Sequence, residues 1–278
     1  MPNYAYHFAL ASGRLSRQIY RALLPVIVRE KIPNGRRIPI EVFSYSSEDS
    51  LPEQIASIRS FLRYAGRPEH FTVVSDGTHS DRSIELLKMI DPVVSVAELP
   101  QLSANFPARL SSYLRAHPTG KQLGLIMSLP WKGPALYTDS DVLFFAGAQH
   151  LVTPAMVRDA PAFYLEDCEF SGDERILRGP AEKAHPVNTG VLFLLKQLDW
   201  SVSIQRFLEL EGDPNFFTNQ TMTHLTMHAN GAVPLDKERY ILQRDDQCIY
   251  ADRHAGNSLV LRHYVGPVRH KFWNQFAR

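Results

Sequence analysis

The feature that most limits how this chain can fold is a regular exchange of short apolar strands with helical stretches, punctuated by turn residues. Residues 38–45 (IPIEVFSY) read as a strand. Ser50 then opens a helix. Glu53 lies three residues on and completes a capping box, and Pro52 is tolerated in the first turn. Ile55, Ile58 and Leu62 form its apolar stripe, and Gly66 ends it. A second strand, 71–75 (FTVVS), closes on Asp76 and Gly77. A helix over 80–90, a strand over 92–97 and a helix-rich stretch to about residue 127 follow. Residues 135–145 form a buried strand pair around the tripeptide DSD. Beyond it come PAFYLE, TGVLFLL, helices near 200–210 and 219–227, and the strand SLVLRHY. Strand after helix after strand predicts an α/β fold with a mostly parallel central sheet and helices on both faces. In such a sheet, ligands bind beyond the carboxyl ends of the strands.

Composition fits one globular unit. The chain has 278 residues, 44% of them hydrophobic and 21% charged, with no internal repeat, low-complexity tract or long linker, so a single domain is expected. A formal net charge of +1 gives no polyanion signature, which argues against nucleic acid as partner. Two distant cysteines, Cys168 and Cys248, match no zinc spacing and no disulfide framework. With no bilayer-length apolar run and no secretory-type leader, a cytoplasmic protein is expected.

Residues 1–37 stand apart. They hold Arg14, Arg17, Arg21, Arg29, Lys31, Arg36 and Arg37 against the single acid Glu30. Leu15, Ile19, Ala22, Leu23, Val26 and Ile27 fall near helical spacing among them. An amphipathic basic helix can lie on the inner face of an anionic membrane. The plainer expectation is a surface helix, interrupted at Pro25, that packs this stripe on the domain.

Asp139 and Asp141 are embedded in the apolar segment ALYTDSDVLFF. Residues two apart on a strand project to the same side, so the two carboxylates converge where unpaired charge is costly. Oxygen-rich sites of this kind suit hard cations such as Mg²⁺ or Mn²⁺, which also bind substrate phosphates. A strand-to-loop turn with one capping and one solvated Asp is the structural alternative. A second chemistry uses the same pattern: a haloacid-dehalogenase-like phosphatase with Asp139 as nucleophile. That class places the motif early in the chain and needs a later Lys and a further acidic pair, whereas here the motif is central.

Four segments in order resemble the retaining glycosyltransferases of family 8, the GT-A fold type that includes bacterial galactosyltransferases and glycogenin. They are ALYTDSDVLFF, HPVNTGVLFL, FFTNQTMTHL and HYVGPVRHKFW, within residues 38–273. The resemblance implies transfer of a sugar from a nucleotide-sugar, a UDP-sugar in this family, with divalent metal. It assigns Asp139, Ser140 and Asp141 to the metal and donor motif, and Asn188 and Gly190 to the sugar. Gln220 is assigned to the space beneath the sugar, and His263 to a third metal position, which favours Mn²⁺ over Mg²⁺. Gly266 permits close approach to a diphosphate, and Arg269, Lys271 or both neutralise the leaving nucleoside diphosphate. Lys121 contacts phosphate or sugar, and Tyr45, between Ser44 and Ser46, stacks on the base. The chain divides on this reading into a basic leader (1–37), a nucleotide-sugar half (38–145) and an acceptor-side half with the metal- and diphosphate-binding tail (146–278).

The chain also departs from the family pattern. Asn219 stands where the family carries Asp, and Gln220 is a poor nucleophile, so a covalent intermediate on it is disfavoured. Front-face substitution with retention is the family-consistent course. Inversion would need a base, with Glu166, Asp167 and Glu169 as candidates. The Asn219 replacement and the altered spacing from His263 to the basic residues also leave open an inactive sugar-nucleotide-binding relative. The acceptor, whether saccharide, lipid-linked or protein, is not legible.

Overall fold

The computed structural model describes residues 3–33, 35–102, 106–130, 132–151 and 160–274. Along the chain come α1 (Tyr4–Ile27), β1 (Glu41–Ser46), α2 (Leu51–Tyr64), β2 (His70–Ser75), α3 (Asp81–Lys88), β3 (Val94–Ala97), α4 (Ala108–Ala116) and α5 (Pro118–Met127). Then follow β4 (Ala135–Thr138), β5 (Val142–Phe144), β6 (Ala162–Glu166), β7 (Val187–Leu194), α6 (Ser201–Leu208) and α7 (Thr218–Ala229). The chain closes with β8 (Val233–Pro234), β9 (Tyr240–Ile241), β10 (Leu261–His263) and α8 (Arg269–Phe272).

Seven strands make one sheet in the order β3-β2-β1-β4-β7-β6-β8, and three make a second in the order β5-β10-β9. In the large sheet β1 to β4 are parallel, and β7 runs against both of its neighbours, β4 and β6. The mostly parallel α/β expectation therefore holds. Period-two alternation sends Val42, Leu136, Val191 and Phe193 into the core beneath α1 and α2. Their neighbours Phe43, Tyr137, Leu192 and Leu194 enter a second core beneath α5 and α7. Every residue of β7 is buried, as a strand covered on both faces requires. The first core is tightly interlocked. Phe61 of α2 meets Phe71 and Phe144 edge-on at centroid distances of 5.6 and 5.0 Å, so truncating it would cost about 3–5 kcal/mol.

Three local expectations change. The first strand begins at Glu41 rather than at residue 38, because Pro39 has no N–H to give a ladder. The capping box does not form. The Ser50 hydroxyl bonds to Ser47, and the Glu53 carboxylate turns inward to accept from Arg17 Nε at 2.6 Å and Trp273 Nε1 at 3.2 Å. Tertiary partners outcompete the local cap. Finally, the leader is one helix, α1, that continues through Pro25 in its last turn, where only one ladder bond is forfeited. Its inward face is Ala9, Gly13, Tyr20 and Leu24, while Leu15, Ile19, Leu23 and Val26 stay 49–59% exposed. Small residues decide which face turns inward: a Cβ on Gly13 would lie 2.6 Å from the carbonyl oxygen of His270, so only glycine lets α1 close on α8.

Candidate active site

The acidic pair sits where the chain leaves one sheet for the other. β4 ends at Thr138, the Asp139 N–H donates to the Gly190 carbonyl at 2.8 Å, and the chain turns through Ser140 and Asp141 into β5. The two aspartates are thus on a turn and not on one strand face, and the reversal brings them together. β10 pairs antiparallel with β5, with His263 opposite Val142, which sets the imidazole beside Asp141. Asp139, Asp141 and His263 offer one ligand atom each, all within 4.8 Å of one another.

Hydrogen bonds fix the orientation of each group. Asp139 Oδ1 accepts from Tyr137 Oη at 2.9 Å and Gln122 Nε2 at 2.8 Å. Asn188 Oδ1 accepts from the Gly190 N–H at 2.9 Å and lies 3.0 Å from His263 Nδ1, so that nitrogen is the donor. His263 Nε2 then faces Asp141 Oδ1 at 3.1 Å and Asp139 Oδ2 at 3.7 Å. In neutral imidazole this nitrogen carries a lone pair, and a lone pair facing two carboxylates fits a cation held among them. The imidazole also explains Gly190, where a Cβ would fall 2.2 Å from His263 Cε1.

The two carboxylates are tuned in opposite directions. Burial pushes the Asp139 carboxyl above its ordinary range, only partly offset by His263. At Asp141 burial is outweighed by the charges of His263 and Arg269, which hold the carboxyl well below that range. Arg269 Nε donates to Asp141 Oδ2 at 3.1 Å. Burial works against protonating His263, yet the charge and hydrogen bond of Asp141 prevail and raise it.

The cluster forms one wall of a cavity of about 270 Å³ that also presents Asp167, Asn188, Asn219, Gln220 and Arg269. These come together because β7 is antiparallel: its start, at Asn188, lies on the same rim as the carboxyl ends of β4 and β6. A register shift in the β6–β7 pairing between Tyr164 and Leu165 falls at this rim. Of the three acids at and after the end of β6, only Asp167 lines the cavity, where its Oδ2 accepts from Asn188 Nδ2 at 3.2 Å and Gln220 Nε2 at 3.4 Å. Glu166 lies 3.0 Å from His185 Nδ1, and Glu169 pairs with Arg244. A second hollow of about 630 Å³ shares Asp141, Gly266 and Arg269 with the first and is lined by Tyr45 and Ser140. Residues of α1, among them Tyr6, Arg14 and Arg17, form its other side. Gly266 faces open space: a Cβ added there would meet nothing within 4 Å.

Besides Glu166 and Glu169, two basic residues named from the sequence are not brought to the site. Lys271 is fully buried, its Nζ donating to the carbonyls of Ile249 at 2.9 Å and Ala251 at 2.7 Å, with Asp246 at 3.6 Å. Residues two apart on a helix point about 200° apart, so α8 turns Lys271 away as it turns Arg269 toward Asp141. Lys121 lines a separate hollow with Leu99, Leu102 and Arg115. Its neighbour Gln122 is the residue of α5 that reaches Asp139, and its Oε1 accepts from Asn219 Nδ2 at 2.9 Å. Gln122 lies in no sequence motif, and Tyr137, though within ALYTDSDVLFF, is not marked out by it. A second Asp, Asp, His cluster, Asp245, Asp246 and His254, also has ligand atoms within 4.8 Å of one another. There Asp246 is fully buried and ion-paired with Arg262 at 2.9 Å, and Arg262 also pairs with Asp252.

No protein-family model and no curated protein matches the chain. Among solved structures, the galactosyltransferase LgtC in complex with donor and acceptor sugar analogues matches at a TM-score of 0.56 and 14% identity, over 85% of this chain and 94% of that one. Mouse xyloside xylosyltransferase 1 matches at 0.53 and 12% identity, over 84% and 99%. The glycosyltransferase GlyE of Streptococcus pneumoniae TIGR4 matches at 0.53 and 12%, over 86% and 60%. At such identities the likeness is one of fold, and the fold of this chain is the GT-A fold of these glycosyltransferases.

Proposed function

We propose that this chain is a metal-dependent glycosyltransferase that moves a sugar from a nucleotide-sugar, a UDP-sugar in the first instance, to an acceptor hydroxyl. The observation that carries the reading is the convergence of Asp139, Asp141 and His263 on a cavity shared with Asn188, Asp167 and Gln220, at the ligand-binding rim of a GT-A fold. Two carboxylates and an imidazole whose Nδ1–H is engaged by Asn188 suit Mn²⁺ or Mg²⁺, the His favouring Mn²⁺. Bound there, the ion would neutralise charge on the donor diphosphate. Tyr45 and Ser140 line the larger hollow, which on this reading takes the nucleotide, and Arg269 supplies the cation that meets the departing diphosphate. Asn188 and Gln220 hold the sugar side by hydrogen bonding, and both are themselves oriented by the Asp167 carboxylate. Gln220 is an uncharged amide, which fits stabilisation of an oxocarbenium-like state with retention better than covalent attack.

Inversion remains a specific second reading, because Asp167 is the one acid of the three candidates that lines the cavity. NMR of the anomeric configuration of fresh product separates the two outcomes. The phosphatase alternative is disfavoured, since the lining of the cavity contains no lysine among the described residues. The decisive experiment is a thermal-shift screen of nucleoside diphosphates with and without Mn²⁺, followed by assay of donor hydrolysis. Stabilisation by UDP only with metal, together with metal-dependent turnover, is the expected result. Tight nucleotide binding without turnover would instead mark an inactive relative, and indifference to both would remove the reading.

A further inference from the structure

α1 is 24 residues long, about 36 Å at 1.5 Å per residue, and its outward face is apolar where a surface helix is ordinarily polar. Tyr4, Phe8, Leu15, Ile19, Leu23 and Val26 are 49–77% exposed. At 100° per residue these six fall within one sector of about 100°. Of these six, Phe8 also meets the exposed ring of Tyr250, at a centroid distance of 5.5 Å. α1 is held from its opposite side by Gly13 against α8, by Tyr20 on Trp273 at a centroid distance of 5.1 Å, and by Arg17 on Glu53. Exposed Arg29 and Lys31 stand just beyond the end of the helix, and exposed Arg14 lies about 80° round the helix from the edge of the stripe, whereas Arg21, about 100° round, is 3.7 Å from Asp49. The one acid of residues 1–37, Glu30, is tied to Arg59 at 3.3 Å. Among the described residues no helix is long and apolar enough to cross a membrane.

We infer that α1 docks flat on an anionic lipid bilayer, its apolar stripe in the headgroup boundary and Arg29 and Lys31, at its end, on the lipid phosphates. Charge chooses this occupant over a second copy of the chain. A two-fold contact through the same face offers these exposed cations no counter-charge, whereas an anionic surface complements them. Docking also has a geometric consequence. The inner side of α1, through Tyr6, Gly13 and Arg17, lines the larger hollow next to Asp141, so one helix diameter, about 10 Å, separates that hollow from the bilayer. The inference stands on α1 alone and holds whatever reaction the site performs.

Sedimentation of the full chain with vesicles tests it. The protein is expected to sediment with vesicles of phosphatidylcholine mixed with phosphatidylglycerol, less so as salt rises, and to stay in solution with phosphatidylcholine alone. Ile19→Asn and Val26→Asn should each lower the bound-to-free ratio on the order of tenfold, with the circular dichroism spectrum unchanged. Arg29→Ser, a change at an exposed position, should lower it roughly fivefold. Absence of sedimentation with either vesicle overturns the inference. So does equal binding to both, or a dimer in light scattering that the apolar substitutions dissociate, which would assign the face to a second copy.

Discussion

The molecule contains two clusters of identical composition, Asp139–Asp141–His263 and Asp245–Asp246–His254, each with its ligand atoms within 4.8 Å. They differ in what supplies the positive charge. In the second, the protein has already done so: fully buried Arg262 pairs with Asp246 and Asp252, and buried Lys271 lies 3.6 Å from Asp246. In the first, the cluster opens on a cavity, and the side-chain cation beside it, Arg269, is more than half exposed. An acidic cluster whose buried carboxylate carries its own cations is an internal brace, and one that faces a cavity is a place for a charged ligand. Ligand spacing alone does not distinguish them.

The largest effect should come from breaking the brace. Arg262→Ala leaves the buried Asp246 and Asp252 short of a partner and should cost about 3–5 kcal/mol in urea unfolding. Next, Asp139→Asn and Asp141→Asn should each lower transfer on the order of 10²- to 10³-fold and abolish the thermal shift with UDP and Mn²⁺. Asp245→Asn should keep that shift, and if it did not, the contrast between the clusters would collapse. Gly190→Ala forces a Cβ against His263 and should cost about 1–3 kcal/mol while weakening the metal response, as read by the melting temperature with and without Mn²⁺.

The last effect, absent at neutral pH, concerns a histidine that hydrogen-bonds only to backbone groups. His224 of α7 lies 2.6 Å from the Glu182 carbonyl through Nε2, and its Nδ1 accepts from the Val187 N–H at 3.2 Å, so both nitrogens are satisfied by the neutral ring. Burial pushes it down from 6.5 to about 4. The unfolded chain therefore takes up this proton first, and the stability His224 confers above pH 6.5 is lost as pH falls toward 4. The melting temperature should decline over that window, and His224→Gln should flatten the decline.

Much of the fold is legible in the sequence. Val42 and Phe43, or Leu192 and Phe193, face opposite cores because adjacent residues on a strand must, and the alternation of elements requires a covered, mostly parallel sheet. The pair Asp139 and Asp141 stands out because carboxylates in an apolar run need a cation. Gln122 and Tyr137, which orient Asp139, do not stand out: an amide on a helix and a tyrosine on a strand are ordinary until the fold aims them at one oxygen. Lys271 misleads for the opposite reason. A basic residue near a motif looks like a phosphate ligand, but a helix of four residues, α8, sends it to the interior.

The sequence by itself determined the α/β architecture, the acidic pair and the amphipathic character of the leader, because periodicity and the cost of unpaired charge are local properties. Tertiary structure decided which of two like clusters faces a cavity and which carries its own cations. It also decided that Gln122 rather than Lys121 reaches Asp139, and that Leu15, Ile19, Leu23 and Val26 of α1 point outward. Each of these depends on what packs against a side chain from a distant part of the chain. Gly13 meeting His270 and Asn188 meeting His263 are contacts that no spacing in the sequence records.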